Sequence, residues 1–352
     1  MIGAGFAATA LHLPALRSLP IARVHTIADH DADRATEAAR RFGIARWSRD
    51  PRAVLDDPQV EAVAVCTPPT FHADWTVAAL DAGKHVLVEK PLALSLDDCD
   101  RMLARAARSD RVVTVGFNLR HHRLVRRART ILQGGALGPI LLVRSAFTSG
   151  ARFERGAPLW RWERALGGGV LTEIGVHHYD LWRHLLEDDV TEVFATSFAD
   201  GQSATVTARS ASGALLQGAF SETTGGRNEL DLFGRAGQLH LSCYRFDGLE
   251  LAGFREGYPG SVTTRLRRVG RLARDLPAVA RAIRRGGDFV ESYLAEWRAF
   301  LLAVRGGQMT GASLADGRRA VEIALAALES ADTAQPVVVG APAPRPARAI
   351  MS

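Results

Sequence analysis

Four short apolar runs, separated by helix-length amphipathic sequence, dominate residues 1–118 and leave few folds open. The runs are Val24–Ala28, Glu61–Cys66, His85–Val88 and Arg111–Gly116. Around them lie helix candidates: Thr9–Leu19 (interrupted by Pro14), Asp31–Arg41 stopped by Gly43, a short piece Ala53–Asp57, Phe71–Ala82 stopped by Gly83, and Leu96–Ala107. Strands that alternate with helices call for a parallel, doubly wound sheet. Right-handed crossovers then bring every strand's carboxyl end to one edge. Gly3, Asp29, Thr67, Glu89, Lys90 and Asn118 are therefore expected around a single crevice.

The first residues, Met1-Ile2-Gly3-Ala4-Gly5-Phe6-Ala7-Ala8, match G-x-G-x-x-A, a turn that lets backbone N–H groups approach a pyrophosphate at a helix N-terminus. Alone this pattern is weak. Asp29 strengthens it: an acidic residue at the next strand's end, 21 residues beyond Ala8, suits the hydroxyls of an adenosine ribose. A carboxylate there repels a 2′-phosphate, so NAD is expected over NADP; the bland alternative is a helix cap. Only Met1 and Ile2 precede the first glycine, where a strand normally supplies about five residues. Either the start lies upstream or the central strand is clipped, which would weaken both the sheet and the phosphate turn.

The strand His85–Val88 runs into Glu89-Lys90-Pro91. Proline biases Lys90 to extended geometry and turns the chain off the sheet. Lys84 and Lys90 are the only lysines in a chain otherwise basic through arginine and histidine. Lysine, unlike arginine, shifts its pKa readily when buried, so Lys90 is a candidate for chemistry. Lys84, in an ordinary helix-to-strand turn, is the control.

Beyond Asn118 the pattern changes. An arginine-rich helix, Leu119–Leu132, precedes a strand, Ile140–Phe147, and a loop with Trp160-Arg161-Trp162-Glu163. Gly167-Gly168-Gly169 then permits close approach by a ligand or another backbone. On the helix that follows, Glu173, His177 and Asp180 are spaced to share one face. Val193 to Tyr244 reads as a mostly antiparallel sheet, and Phe289–Arg305 and Ser313–Ala331 as amphipathic helices before a short strand, Pro336–Val339. Eight arginines between Arg265 and Arg285 read as a solvated helix face rather than an anionic-surface anchor. The division expected is a dinucleotide-binding domain over 1–118, an α+β substrate-binding and oligomerisation domain over 119–340, and a disordered tail over 341–352.

Of 352 residues, 47% are hydrophobic and 23% charged, as in ordinary soluble proteins. Three cysteines without ligand spacing argue against structural zinc and for a reducing compartment. No signal segment or membrane-length apolar run is present, and a cytoplasmic protein with no membrane or nucleic-acid partner is expected. His177, His178 and His184 beside Glu173 and Asp180 invite a metal reading, but HExxH is missing and no metal is expected.

The chain resembles the Gfo/Idh/MocA oxidoreductases. The resemblance rests on Gly3–Ala8, Ala28-Asp29, Thr67-Pro68-Pro69-Thr70-Phe71-His72, Glu89-Lys90-Pro91, Gly116-Phe117-Asn118 and Gly167 to Asp180. It implies an N-terminal Rossmann domain and a C-terminal α+β domain whose open, mostly antiparallel sheet often mediates oligomers, so a homo-dimer or tetramer is expected. It also implies that Lys90 reaches substrate, that His177 is the acid/base, and that Glu173 orients substrate where relatives usually carry aspartate. NAD would rest on Gly3, Gly5, Phe6, Ala7, Asp29, Thr67, Pro68, His72, Glu89, Lys90 and Asn118. A sugar or cyclitol substrate would meet Lys90, Glu173 and His177. Trp160 or Trp162 would stack on the ring, with Arg161 or Arg164 for an anionic substituent. The expected reaction interconverts a secondary alcohol and a ketone. Two alternatives are a glycosidase that oxidises transiently and a dinucleotide-sensing regulator without catalysis.

Overall fold

A computed structural model describes residues 1–150, 159–198, 201–253, 262, 266, 269–270 and 287–340. Most of the arginine-rich stretch and the whole segment from residue 341 lie outside the described residues.

The first unit is the expected parallel sheet. Its strands are β1 (Thr26–Ala28), β2 (Arg46–Ser48), β3 (Ala62–Val65), β4 (His85–Val88) and β5 (Val113–Val115). Pairing runs β2–β1 and β3–β4–β5, all parallel. Ile2 joins the two groups, bridging Ala28 on one side and Val65 on the other. Two residues thus fill the central position, where Ile2 is fully buried.

A wide π-turn, Ala7–His12, leads into α1 (Leu13–Arg17). Pro14 sits in the first turn of α1, which continues the π-turn directly, so its missing N–H falls inside one continuous helical run. The other helices on this sheet are α2 (Ala32–Phe42), α3 (Arg52–Leu55), α4 (His72–Asp81) and α5 (Leu96–Ala106). Asp31 caps α2 by accepting from the N–H groups of Asp33 and Arg34. Lys84 is accounted for structurally, since its ammonium donates to the Asp57 carbonyl at 2.9 Å.

The second unit starts with α6 (Arg123–Gln133), β6 (Ile140–Thr148) and α7 (Gly175–Leu186). Strands β7 (Val190–Ser197), β8 (Ser203–Ser210), β9 (Leu215–Ser221), β10 (Arg227–Gly234), β11 (Gly237–Ser242) and β12 (Leu249–Gly253) follow. Two helices, α8 (Asp288–Val304) and α9 (Leu314–Thr333), precede the edge strand β13 (Val337–Val338). The eight-stranded sheet has the order β12-β11-β10-β6-β9-β8-β7-β13, and β6–β9 is its one parallel pairing. Alternation along β8 and β10 puts every second residue inward against α7 and α9.

The cores do not follow the division at residue 118. Tyr293, Trp297 and Phe300 of α8 pack with Met1, Ala4, Ala8 and Leu13 of the first unit. The start of α9 packs there too, through Leu314, Ala320 and Val321. The chain therefore returns to its first domain near its end, which amphipathic spacing alone does not reveal.

Candidate active site

A cavity of about 950 Å³ runs along the carboxyl edge of the parallel sheet and continues to the mouth of the second unit. Gly3, Gly5, Phe6, Ala7, Asp29, Thr67 and Pro68 line one end. Glu89, Lys90, Trp160, Arg161, Glu173 and His177 line the other.

The first end is built to take a dinucleotide phosphate. Gly3 has φ +96°, and a Cβ there would lie 2.5 Å from the Cys66 carbonyl oxygen, so only glycine fits. A Cβ on Gly5 would meet nothing within 4 Å, because that residue faces the open cavity. Asp29 is buried, and its carboxylate accepts from Ala4 N–H at 2.8 Å and Asp31 N–H at 3.0 Å. The acid that the sequence places at the ribose position thus also ties the phosphate turn to the next strand.

At the other end Lys90 donates to Glu173 twice, to Oε1 and to the main-chain carbonyl, each at 3.0 Å. Arg161 Nη2 lies 3.3 Å from Glu173 Oε2, an ion contact without hydrogen-bond alignment, and also binds Glu222. Burial pushes the Glu173 carboxyl up, but Lys90 and Arg161 outweigh it and hold the group at about 2. Glu222 behaves oppositely: burial and the charge of Glu173 push it up to about 7. His177 packs between Phe117 and Phe147, with ring centroids 6.2 and 5.8 Å away. Burial and the neighbouring Lys90 lower its pKa well below 6.5, so the imidazole is neutral at physiological pH. Its Nδ1 is buried without a hydrogen-bond partner.

Four expected placements differ. Asp180 does not share the face of Glu173 and His177: Glu173 precedes the helix, and Asp180 turns inward to Arg120 in two hydrogen bonds of 2.8 and 2.5 Å. Asn118 leaves the crevice and donates to Ser292 Oγ at 2.8 Å. His72 is fully buried between the carbonyls of Thr67 and Pro91, each 2.9 Å away, where it braces two crevice loops instead of lining them. Arg164 also lies away from the cavity, paired with Asp332.

The middle glycine of the three makes room for another backbone. A Cβ on Gly168 would lie 2.3 Å from the Arg161 carbonyl oxygen and 2.6 Å from that of Trp160. The glycine thereby lets the Trp160–Arg161 loop settle against Glu173.

Sequence reasoning missed Glu222, at the end of β9, and an aromatic wall of Phe147, Tyr244, Phe289 and Tyr293. It also missed His12, whose Nε2 lies 2.6 Å from Glu89. A histidine on an otherwise apolar helix was the one available signal for His12. Among the described residues no three His, Cys, Asp or Glu side chains gather as metal ligands, and no helix is long and apolar enough to cross a membrane.

Comparison with known proteins agrees with this geometry. Residues 1–117 match the oxidoreductase family model with an NAD-binding Rossmann fold, and residues 125–240 match the Gfo/Idh/MocA C-terminal domain. The chain is 28% identical to myo-inositol 2-dehydrogenase of Thermotoga maritima, over 94% of this chain and 95% of that protein. It is 29% identical to levoglucosan dehydrogenase of Pseudarthrobacter phenanthrenivorans, over 89% and 88% of the respective chains. A solved levoglucosan dehydrogenase, in complex with NADH and L-sorbose, shares the fold with TM-score 0.78 at 24% identity, covering 96% of this chain and 97% of that one. The matched domains, the phosphate turn and the Lys90–Glu173–His177 end of the crevice together place this chain in the Gfo/Idh/MocA family of NAD-binding oxidoreductases.

Proposed function

We propose that this protein interconverts a secondary alcohol and a ketone on a sugar, sugar derivative or cyclitol in the cytoplasm, with NAD as redox partner. The observation that carries the reading is the Lys90–Glu173 contact, which opens beside His177 onto the same cavity as the Gly3–Ala7 turn. Relatives that act on inositol and levoglucosan support the substrate class.

When bound, the nicotinamide supplies the hydride acceptor. The neutral imidazole of His177 accepts the hydroxyl proton. Lys90 uses two of its three N–H donors on Glu173 and turns the third to the reacting oxygen, stabilising its developing negative charge. Glu173, ionised between Lys90 and Arg161, accepts from a neighbouring hydroxyl. Trp160 and the aromatic wall exclude water and offer faces for the ring. The outer face of the large sheet, with Leu142, Phe194 and Leu215 exposed, is the surface for pairing with a second copy.

The test is a panel of inositols, polyols, anhydro-sugars and oxo-sugars with NAD+ or NADH, read by the absorbance of reduced nicotinamide. Net cofactor turnover with at least one member is expected. Lys90→Ala and His177→Ala should abolish it while dinucleotide binding persists. Glycoside cleavage without net reduction would replace this reading with transient oxidation, and dinucleotide binding without any turnover would replace it with a sensing role.

A further inference from the structure

Behind the Lys90 strand end lies a buried chain of polar groups drawn from three distant parts of the sequence. The Trp297 indole N–H donates to His12 Nδ1 at 3.0 Å. Indole nitrogen is only a donor, so His12 Nδ1 carries the lone pair and the proton of the neutral ring sits on Nε2. That N–H points at Glu89 Oε1, 2.6 Å away, while Glu89 Oε2 accepts from the Lys90 main-chain N–H at 3.0 Å. Tyr293 closes the chain edge-on, its ring 5.3 Å from His12. Gly116 leaves the room this carboxylate needs, since a Cβ there would stand 3.2 Å from Oε1.

Glu89 also lines the cavity. Burial pushes its carboxyl up, but the His12 bond and the nearby Lys90 outweigh that and hold it below its ordinary value. A second buried acid, Glu296, behaves oppositely. Neither of its oxygens has a hydrogen-bond partner, and burial and the charge of Glu89 push its carboxyl well above its ordinary value. The Lys90 ammonium gives two of its donors to Glu173 and none to Glu89. The hydrogen-bonding partners of Glu89 are an imidazole N–H and a main-chain N–H, with no ammonium or guanidinium bonded to it, so its negative charge is held in place beside the cavity.

We propose that His12 and Trp297 hold Glu89 as an anionic wall at the nicotinamide end of the crevice, and that this wall makes the protein favour the oxidised, cationic dinucleotide over the reduced one. The inference rests on the cofactor reading above. The two redox forms differ by one positive charge on the ring, and only a group that interacts differently with the two forms can shift their ratio. His12 and Trp297 are positioning residues that act through Glu89.

Calorimetric Kd values for NAD+ and NADH, measured separately on the full chain without substrate, test this. Glu89→Gln should weaken NAD+ relative to NADH by at least about fivefold, and His12→Leu should move the ratio the same way. His12→Gln, which can keep an N–H facing Glu89, should hold the ratio within about twofold of wild type, and Trp297→Phe should fall between. A merely structural role would weaken both forms by one common factor, and that result, or a ratio moving toward NAD+, overturns the inference. Binding of neither form by the wild-type protein would overturn the cofactor reading and this inference with it. Binding of both with an unmoved ratio in Glu89→Gln overturns this inference alone.

Discussion

Replacing Gly168 with alanine perturbs the site without touching any of the groups assigned to chemistry. The added methyl would stand 2.3 Å from the Arg161 carbonyl oxygen, 2.5 Å from its carbonyl carbon and 2.6 Å from the Trp160 oxygen, all of them backbone. Ordinary contact begins near 3.4 Å, so the Trp160–Arg161 loop must retreat by about 1 Å. Arg161 would then withdraw from Glu173 Oε2, already at 3.3 Å, and Trp160 would leave the cavity wall. Active-site geometry tolerates roughly half an ångström, and a displacement of about 1 Å costs on the order of a hundredfold in rate. Overpacking also costs about 1–3 kcal/mol of stability, visible as a lowered Tm. The Gly3–Asp29 end of the crevice is not in contact with Gly168, so the Kd for NAD should be unchanged. Steady-state kinetics on a substrate found in the panel, with calorimetric NAD binding as the control, distinguish these effects. A Gly168→Ala protein with kcat/KM within about threefold of wild type would refute the reasoning that this glycine seats the Arg161 loop.

Three further outcomes follow from the same geometry. Asp180→Asn leaves the buried Arg120 guanidinium without its bidentate partner and should lower stability by about 3 kcal/mol, measured by urea unfolding; a loss below about 1 kcal/mol would mean that Asp316 alone satisfies Arg120. Because burial and Lys90 depress the pKa of His177, protonation that disables it as a base begins only well below pH 6.5. The kcat/KM for alcohol oxidation should therefore stay level as pH falls through 6.5, and a half-maximal fall at or above that pH contradicts the assignment. NAD+ should bind more tightly than NADP+, with Asp29→Ser narrowing the gap; tighter binding of NADP+ to the wild-type chain would overturn the role given to Asp29.

The fold was legible because its signals are local. Apolar runs such as Val86–Val88 and helix stops such as Gly43 and Gly83 act within a few residues, and each stop adopts the positive φ that favours glycine. Lys90, Glu173 and His177 were legible through motif spacing, and all three line the one cavity. What escaped depends on partners far away in sequence. Asn118 looks like a crevice residue until Ser292, 174 positions later, claims its amide. Asp180 has helical spacing to His177, but the buried guanidinium of Arg120 is the stronger partner. His12, Glu89 and Trp297 form one chain across 285 positions, and no periodicity encodes such a contact. Glu222 carries no signal beyond an acid at a strand end, and only the Arg161 loop gives it meaning.

The central claim is that Lys90, Glu173 and His177 act on a carbinol held against the cofactor at one end of the crevice. Its most direct test is isotope transfer. A cyclitol or sugar that is turned over, deuterated at its carbinol carbons, is incubated with NAD+ and the wild-type chain, and the reduced dinucleotide is examined by mass spectrometry. The account predicts one deuterium in each reduced dinucleotide, matched by one ketone, and loss of both in Lys90→Ala and His177→Ala. Deuterium appearing in water, or label transfer that persists in either variant, would contradict it.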